Sequence, residues 1–161
     1  MDKYYKTLKK VSDAEVWQIF SSSKKELKKR GLVRTNNITG ERGEFLTIDF
    51  YNSNSSLPNL QAAPEGTQNV DALSRKGERY SIKTITKPGR CTGVFYNCGQ
   101  KNDQELPERK FEFVVIVVID EDLNLAQIIE LDWSLFLELR KWHKTMKAWN
   151  LTLTKELLGK G

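Results

Sequence analysis

Soft metal ligands are scarce in this sequence: its 161 residues hold two cysteines, Cys91 and Cys98, and one histidine, His143, with no CxxC or HExxH spacing. Structural zinc sites and disulfide frameworks lack their ligands on this count alone. Long apolar runs are missing too. No window approaches 18 uncharged apolar residues, which excludes a membrane-spanning helix. Lys3, Lys6, Lys9 and Lys10 are followed by no apolar stretch, so a secretory signal is not expected and the expected compartment is the cytoplasm. There is no GxxxxGK(S/T), GxGxxG or GxSxG, which removes the usual support for nucleotide-dependent and serine-hydrolase chemistry. Carboxylates are plentiful, so any catalytic metal is expected to be oxygen-liganded, Mg²⁺ with Mn²⁺ as a substitute.

The formal net charge is +5, and it is unevenly spread. Residues 1–34 carry ten basic and four acidic side chains and residues 133–161 six and two, whereas 101–132 are acidic. Basic ends suit a phosphate backbone, of DNA or RNA, and solvated Lys-rich helices give the same count. The length fits a single domain over residues 1–161 with one sizeable core.

Ser12-Asp13-Ala14-Glu15 is a capping box, and Val16, Ile19, Phe20 and Leu27 recur behind it at helical spacing up to Gly31. A second helix of about three turns is predicted from Gly40–Glu44 through Phe45, Ile48 and Tyr51, with Glu44 on the side of Ile48 and Tyr51. Residues 52–66 read as a loop. Residues 70–74 and 79–86 form a predicted hairpin around Arg75–Glu78, with Tyr80, Ile82 and Thr84 on one face and Ser81 and Lys83 on the other. Residues 92–99 read as a short strand or an exposed loop. Phe111–Ile119 reads as a central strand buried on both faces, turning at 120–124 into Leu125–Leu131. Asp132 is predicted to cap a long helix with the stripe Leu135, Leu139, Trp142, Met146 and Trp149, and with Arg140, Lys144 and Lys147 opposite. A short Leu151–Leu153 segment and a last helical turn end the chain. The expected fold class is α/β, a central mixed sheet flanked by helices.

Asp71 and Lys83 stand out because an aspartate and a lysine facing one another across a hairpin admit two explanations. One is a cross-strand ion pair worth up to about 1 kcal/mol. The other is phosphodiester hydrolysis, in which a divalent ion offsets charge on the scissile phosphate and a cation positions or helps deprotonate the attacking water. In that case Asp71 holds the metal, Lys83 serves the water, and the carbonyl of Ile82 adds an oxygen ligand.

The wider order resembles the PD-(D/E)xK nuclease superfamily, in particular small type II restriction endonucleases: a helix with Gly43-Glu44, a loop, Asp71, nine residues, Ser81-Ile82-Lys83, then a long apolar strand. The motif region covers about residues 44 to 86. The resemblance implies a restriction-endonuclease-like fold and a Mg²⁺-dependent DNA endonuclease with Glu44, Asp71, Ser81 and Lys83 as its reacting set and Asp71, Glu44 and Ile82 around the metal. Val70 stands where proline is usual. Ser81 stands where the family's metal-binding Asp or Glu stands, and a hydroxyl is a weaker Mg²⁺ ligand than a carboxylate. Glu44, Glu78, Asp103, Glu105 and Glu108 are candidate replacements, Glu44 first among them. The alternative is a decayed site on a module that only binds DNA. Arg90 and Thr92 in the loop after the Lys83 strand, with Arg140, Lys144 and Lys147, are the expected DNA contacts. Cutting both strands of double-stranded DNA calls for two sites related by a two-fold axis, so a homodimer is expected, formed through the Trp-containing helices.

Overall fold

The computed structural model describes residues 3–158. Five helices and seven strands follow one another as α1 (Lys3–Leu8), α2 (Asp13–Lys29), α3 (Ile38–Ser53), β1 (Leu60–Ala62), β2 (Ala72–Ser74), β3 (Arg79–Thr86), β4 (Phe113–Ile119), β5 (Leu125–Asp132), α4 (Trp133–Leu139), β6 (Lys141–His143), β7 (Ala148–Asn150) and α5 (Lys155–Leu158). β1 to β5 form one sheet in that spatial order. β3 and β4 run parallel and the other neighbours are antiparallel, so the sheet is mixed and helices flank it. No helix among the described residues is long and apolar enough to cross a membrane.

β4 is central because its sequence admits nothing else: Phe-Val-Val-Ile-Val-Val-Ile has no polar face to give to water, and six of its seven residues are buried. Its two faces seed two cores. On one, Val115, Val117 and Ile119 join Tyr80, Ile82 and Tyr51 beneath α3. On the other, Val114, Ile116 and Val118 meet Phe95, Phe111, Trp133, Phe136 and Leu151.

Two predicted elements are corrected. Residues 60–62, read as part of a loop, add strand β1 to β2, and Asn52 holds it there, its Oδ1 accepting from Leu60 N–H and its Nδ2 donating to Leu60 O. The helix after Asp132 stops at Leu139. Residues 141–150 fold instead into a hairpin in which Trp142 faces Trp149, rings 5.0 Å apart, with Lys147 at φ +48 in its turn. A seven-residue spacing of tryptophans satisfies a helical stripe and a cross-strand pair equally. The backbone bridge from Trp149 to Phe95 decides for the strand.

Candidate metal and phosphodiester site

Three elements meet at one cleft. α3 comes close to β3 at Gly43, where any Cβ would overlap Thr84 Oγ1. That approach sets the next residue, Glu44, beside the end of β2 and the middle of β3. Asp71 lies just before β2. Its N–H donates to Tyr80 O at 2.8 Å, and its Oδ2 accepts from Ile82 N–H at 2.6 Å and from Ser81 Oγ at 3.4 Å. Lys83 Nζ stands 3.9 Å from the same Oδ2 and 5.3 Å over the ring of Phe95. Glu44, Asp71, Ile82 and Lys83 line a single open cleft of about 320 Å³, together with Asn37, Thr39 and Gly40 at the start of α3, Thr84, Gly93 and Val94.

The Ile82 carbonyl is available there for a topological reason. β2 pairs with β3 only at Ala72–Tyr80 and Leu73–Arg79. Alternation along the strand sends the Ile82 backbone groups to the same edge as those of Tyr80, past the point where β2 has ended. Asp71 takes the N–H, and the carbonyl keeps no strand partner on that edge.

The electrostatics of the two carboxylates differ. Burial raises the Glu44 carboxyl above its ordinary value and the charge of Asp71 adds to this, while the Arg34 guanidinium pulls it back. Arg34 Nη2 lies 3.0 Å from Glu44 Oε2, and its Nε is 3.5 Å from Glu41 Oε2. A second cleft of about 210 Å³, which shares Asn37, Glu44 and Asp71 with the first, has Arg34 in its wall. Arg34 lines only this second cleft and Lys83 only the first.

Of the carboxylates weighed from the sequence as replacements, Glu44 alone reaches this cleft among the described residues. Glu78 accepts from Ser74 Oγ in the hairpin turn, Asp103 caps the Gln100 N–H, and Glu108 pairs with Lys110. Ser81 is completely buried and does not line the cleft. Its hydroxyl reaches the site only through Asp71.

Among the expected DNA contacts, Arg90, Lys144 and Lys147 are exposed. Thr92 is buried, its Oγ1 accepting from Leu151 N–H at 3.0 Å. Arg140 is half-buried, stacked 4.1 Å from the Trp149 ring centroid and donating to Cys98 O, so its guanidinium ties the β6–β7 hairpin to the connection between β3 and β4. Arg34 and the first turn of α3 were not singled out by the sequence reading. The Gly40-Glu41-Arg42-Gly43-Glu44 stretch carries the available signal, two glycines around Glu41 and Arg42 with Glu44 directly after them.

The donor set suits a hard divalent cation. Two carboxylates and a carbonyl are all oxygen, and Mg²⁺ commonly takes one or two carboxylates and keeps several waters. No group of three or more His, Cys, Asp and Glu side chains able to hold a metal stands together among the described residues, so Glu44, Asp71 and Ile82 O would share the ion with water and phosphate. Compared with known proteins, the chain matches no family model and no curated protein.

Proposed function

We propose that this protein is a Mg²⁺-dependent DNA endonuclease of the restriction-endonuclease-like, PD-(D/E)xK kind, acting on double-stranded DNA in the cytoplasm. The observation that carries the reading is the convergence of Glu44, Asp71 and Lys83, brought from a helix, a strand end and a neighbouring strand to one open cleft. A bound Mg²⁺ would supply positive charge to the scissile phosphate and to a coordinated water. Glu44, Asp71 and the Ile82 carbonyl would hold it. Lys83, ion-paired with Asp71 at 3.9 Å, would donate to the attacking water and orient it. The first turn of α3 turns the positive end of its dipole toward the same cleft, which favours a phosphate there. Arg90, Lys144 and Lys147 supply sequence-independent contacts to more distant phosphates.

One observation favours a second reading, a DNA-binding module without catalysis: the neutral Ser81 lies where the family's second carboxylate belongs, and it is sealed from the cleft. One experiment separates the two. Plasmid and phage DNA are incubated with the protein in Mg²⁺, Mn²⁺ or EDTA. Cleavage in either metal, lost in EDTA, with Lys83→Ala inactive by at least ~10²-fold and still able to bind DNA, is the expected result. Asp71→Ala should lose cleavage and also the metal dependence of tight binding. Ser81→Glu should lower activity in a working enzyme, because a second buried negative charge is set against Asp71, and raise it from nothing in a decayed one. Wild-type protein and Ser81→Glu that bind DNA but never cut would leave the binding module as the function.

A further inference from the structure

We propose that Phe95 is a positioning residue for Lys83: the face of its ring holds the ammonium at the cleft, and residues 149–153 hold the ring. What this does for cleavage rests on the nuclease reading, whereas the contact itself does not. Lys83 leaves β3 on the face of Ile85, the face against which Phe95 is packed. Its Nζ lies 5.3 Å over the Phe95 ring centroid, within the roughly 6 Å reach of a cation–π contact. The ring itself is locked in place. Phe95 is 2% exposed, and its ring stands 4.9 Å from that of Phe136 and 5.9 Å from that of Phe111.

Backbone pairing decides where that ring stands. Phe95 N–H donates to Trp149 O at 2.7 Å, and Trp149 N–H donates back to Phe95 O at 3.4 Å. Further along, Thr92 N–H donates to Leu151 O at 2.9 Å and Leu153 N–H to Arg90 O at 2.7 Å. Residues 90–95 therefore run antiparallel to residues 149–153, and Gly93 and Val94 in the middle of that run line the cleft. β7 thus reaches the site through one aromatic ring.

Lys83 needs such a partner because its other one is shared. Asp71 Oδ2, 3.9 Å from the ammonium, also accepts from Ile82 N–H at 2.6 Å and from Ser81 Oγ at 3.4 Å. A divalent ion held by Asp71 would offset that carboxylate's charge and repel the ammonium as a like charge, and a lysine stem is flexible enough to swing out into water. A ring face attracts the ammonium through its quadrupole. It offers the metal no carboxylate to take, and it leaves N–H groups of the ammonium for the attacking water.

The test replaces the Phe95 ring, at that position alone, by its mono-, di- and trifluorinated forms, which draw charge from the ring face while nearly keeping its shape and apolar surface. Melting temperature should hardly move. In the proton spectrum the Lys83 Cε–H signal, identified by its absence from Lys83→Ala, should lie upfield in wild type under the ring current and stay there in saturating Mg²⁺. It should move toward the free-lysine position along the fluorinated series, and reach it in Phe95→Leu; the series decides if that variant does not fold. kcat for DNA cleavage should fall stepwise, by about two- to fivefold at the trifluorinated ring, with KM unchanged. A wild-type Lys83 signal at the free-lysine position, or one that neither fluorination nor Phe95→Leu moves, would overturn the contact. A wild type that cuts DNA with a kcat indifferent to fluorination would overturn the positioning role. Where wild type cuts no DNA, the nuclease reading fails by itself and the Lys83 signal still decides the contact.

Discussion

α2 and α3 are nearly equal in length, 17 and 16 residues, and only α3 contains fully buried residues. α2 has the cleaner sequence signal, a capping box and an apolar strip at helical spacing, and it covers no core. α3 has a weaker pattern and buries Glu41, Gly43, Thr47 and Tyr51, a glycine and three residues with polar groups. What seats α3 is fit. Gly43 lets the backbone come down on Thr84, Thr47 Oγ1 donates back to Gly43 O, and the Tyr51 hydroxyl bonds Glu130 across the sheet. That hydroxyl is pushed far above its ordinary pKa, by burial first and by Glu130 second, so it remains a donor. An apolar strip says that a helix will be covered by something. Small residues and buried polar anchors say by what.

The sharpest way to break this difference is Gly43→Ala. The added methyl meets Thr84 Oγ1 and has no space to enter. Overpacking of this kind costs about 1–3 kcal/mol, which should appear as a lower melting temperature, and the displaced α3 should carry Glu44 away from Asp71. Gly43→Ala with Thr84→Ser removes a methyl near the contact and should recover part of the loss. The matching change on α2, Ser22→Ala on its solvent side, should move stability by no more than about 0.5 kcal/mol. Equal effects of the two would mean that α2 is held as firmly as α3.

The same contrast explains how much was legible beforehand. The hairpin that carries Asp71 and Lys83 was readable because strand alternation and turn chemistry are local, and β4 was readable because an unbroken β-branched run has one home. The pairing of Glu44 with that hairpin was visible only as order along the chain, since the closeness of α3 to β3 depends on one glycine meeting one threonine 41 positions later. Residues 141–150 were misread because Trp142 and Trp149 serve either period, and only the long-range bridge to Phe95 chooses. Arg34 was missed because nothing local marks a residue whose partners are on the next helix.

Arg34 gives the second prediction. Its guanidinium occupies Glu44 at 3.0 Å, so a cation arriving at the cleft competes with it. Arg34→Ala should raise Mn²⁺ affinity by up to about tenfold, equivalent to ~1.4 kcal/mol, when titrated by electron paramagnetic resonance. Arg34→Lys should fall between, since an ammonium offers no fork to hold Glu41 and Glu44 together. Unchanged or weaker metal binding in Arg34→Ala would show that Arg34 positions Glu44 for the ion and does not compete with it.

The smallest expected effect compares one ion pair from each region. In the body, Glu112 takes the Arg79 guanidinium through both oxygens, at 2.8 and 3.1 Å, and the Arg79 N–H at 2.7 Å. On α2, Arg30 meets Glu26 at 2.8 Å as an exposed pair one turn apart. The Arg79 hydrogen bonds hold the Glu112 carboxyl below its ordinary value of 4.5. A carboxyl that is more acidic in the folded chain than in the unfolded one contributes stability above the ordinary carboxylate range and loses it as pH falls through the lower, folded value. Both side chains are partly exposed, so solvent screening limits that contribution to about 1 kcal/mol. Glu112→Gln should therefore lower the melting temperature at pH 7, and the gap from wild type should close between about pH 5 and 3. Glu26→Gln should leave both curves in place, because an exposed pair on a helix that packs on little else gains only what water does not already supply. A Glu112→Gln deficit that persists undiminished at pH 3 would mean that Glu112 acts there by shape and hydrogen bonding, not by charge.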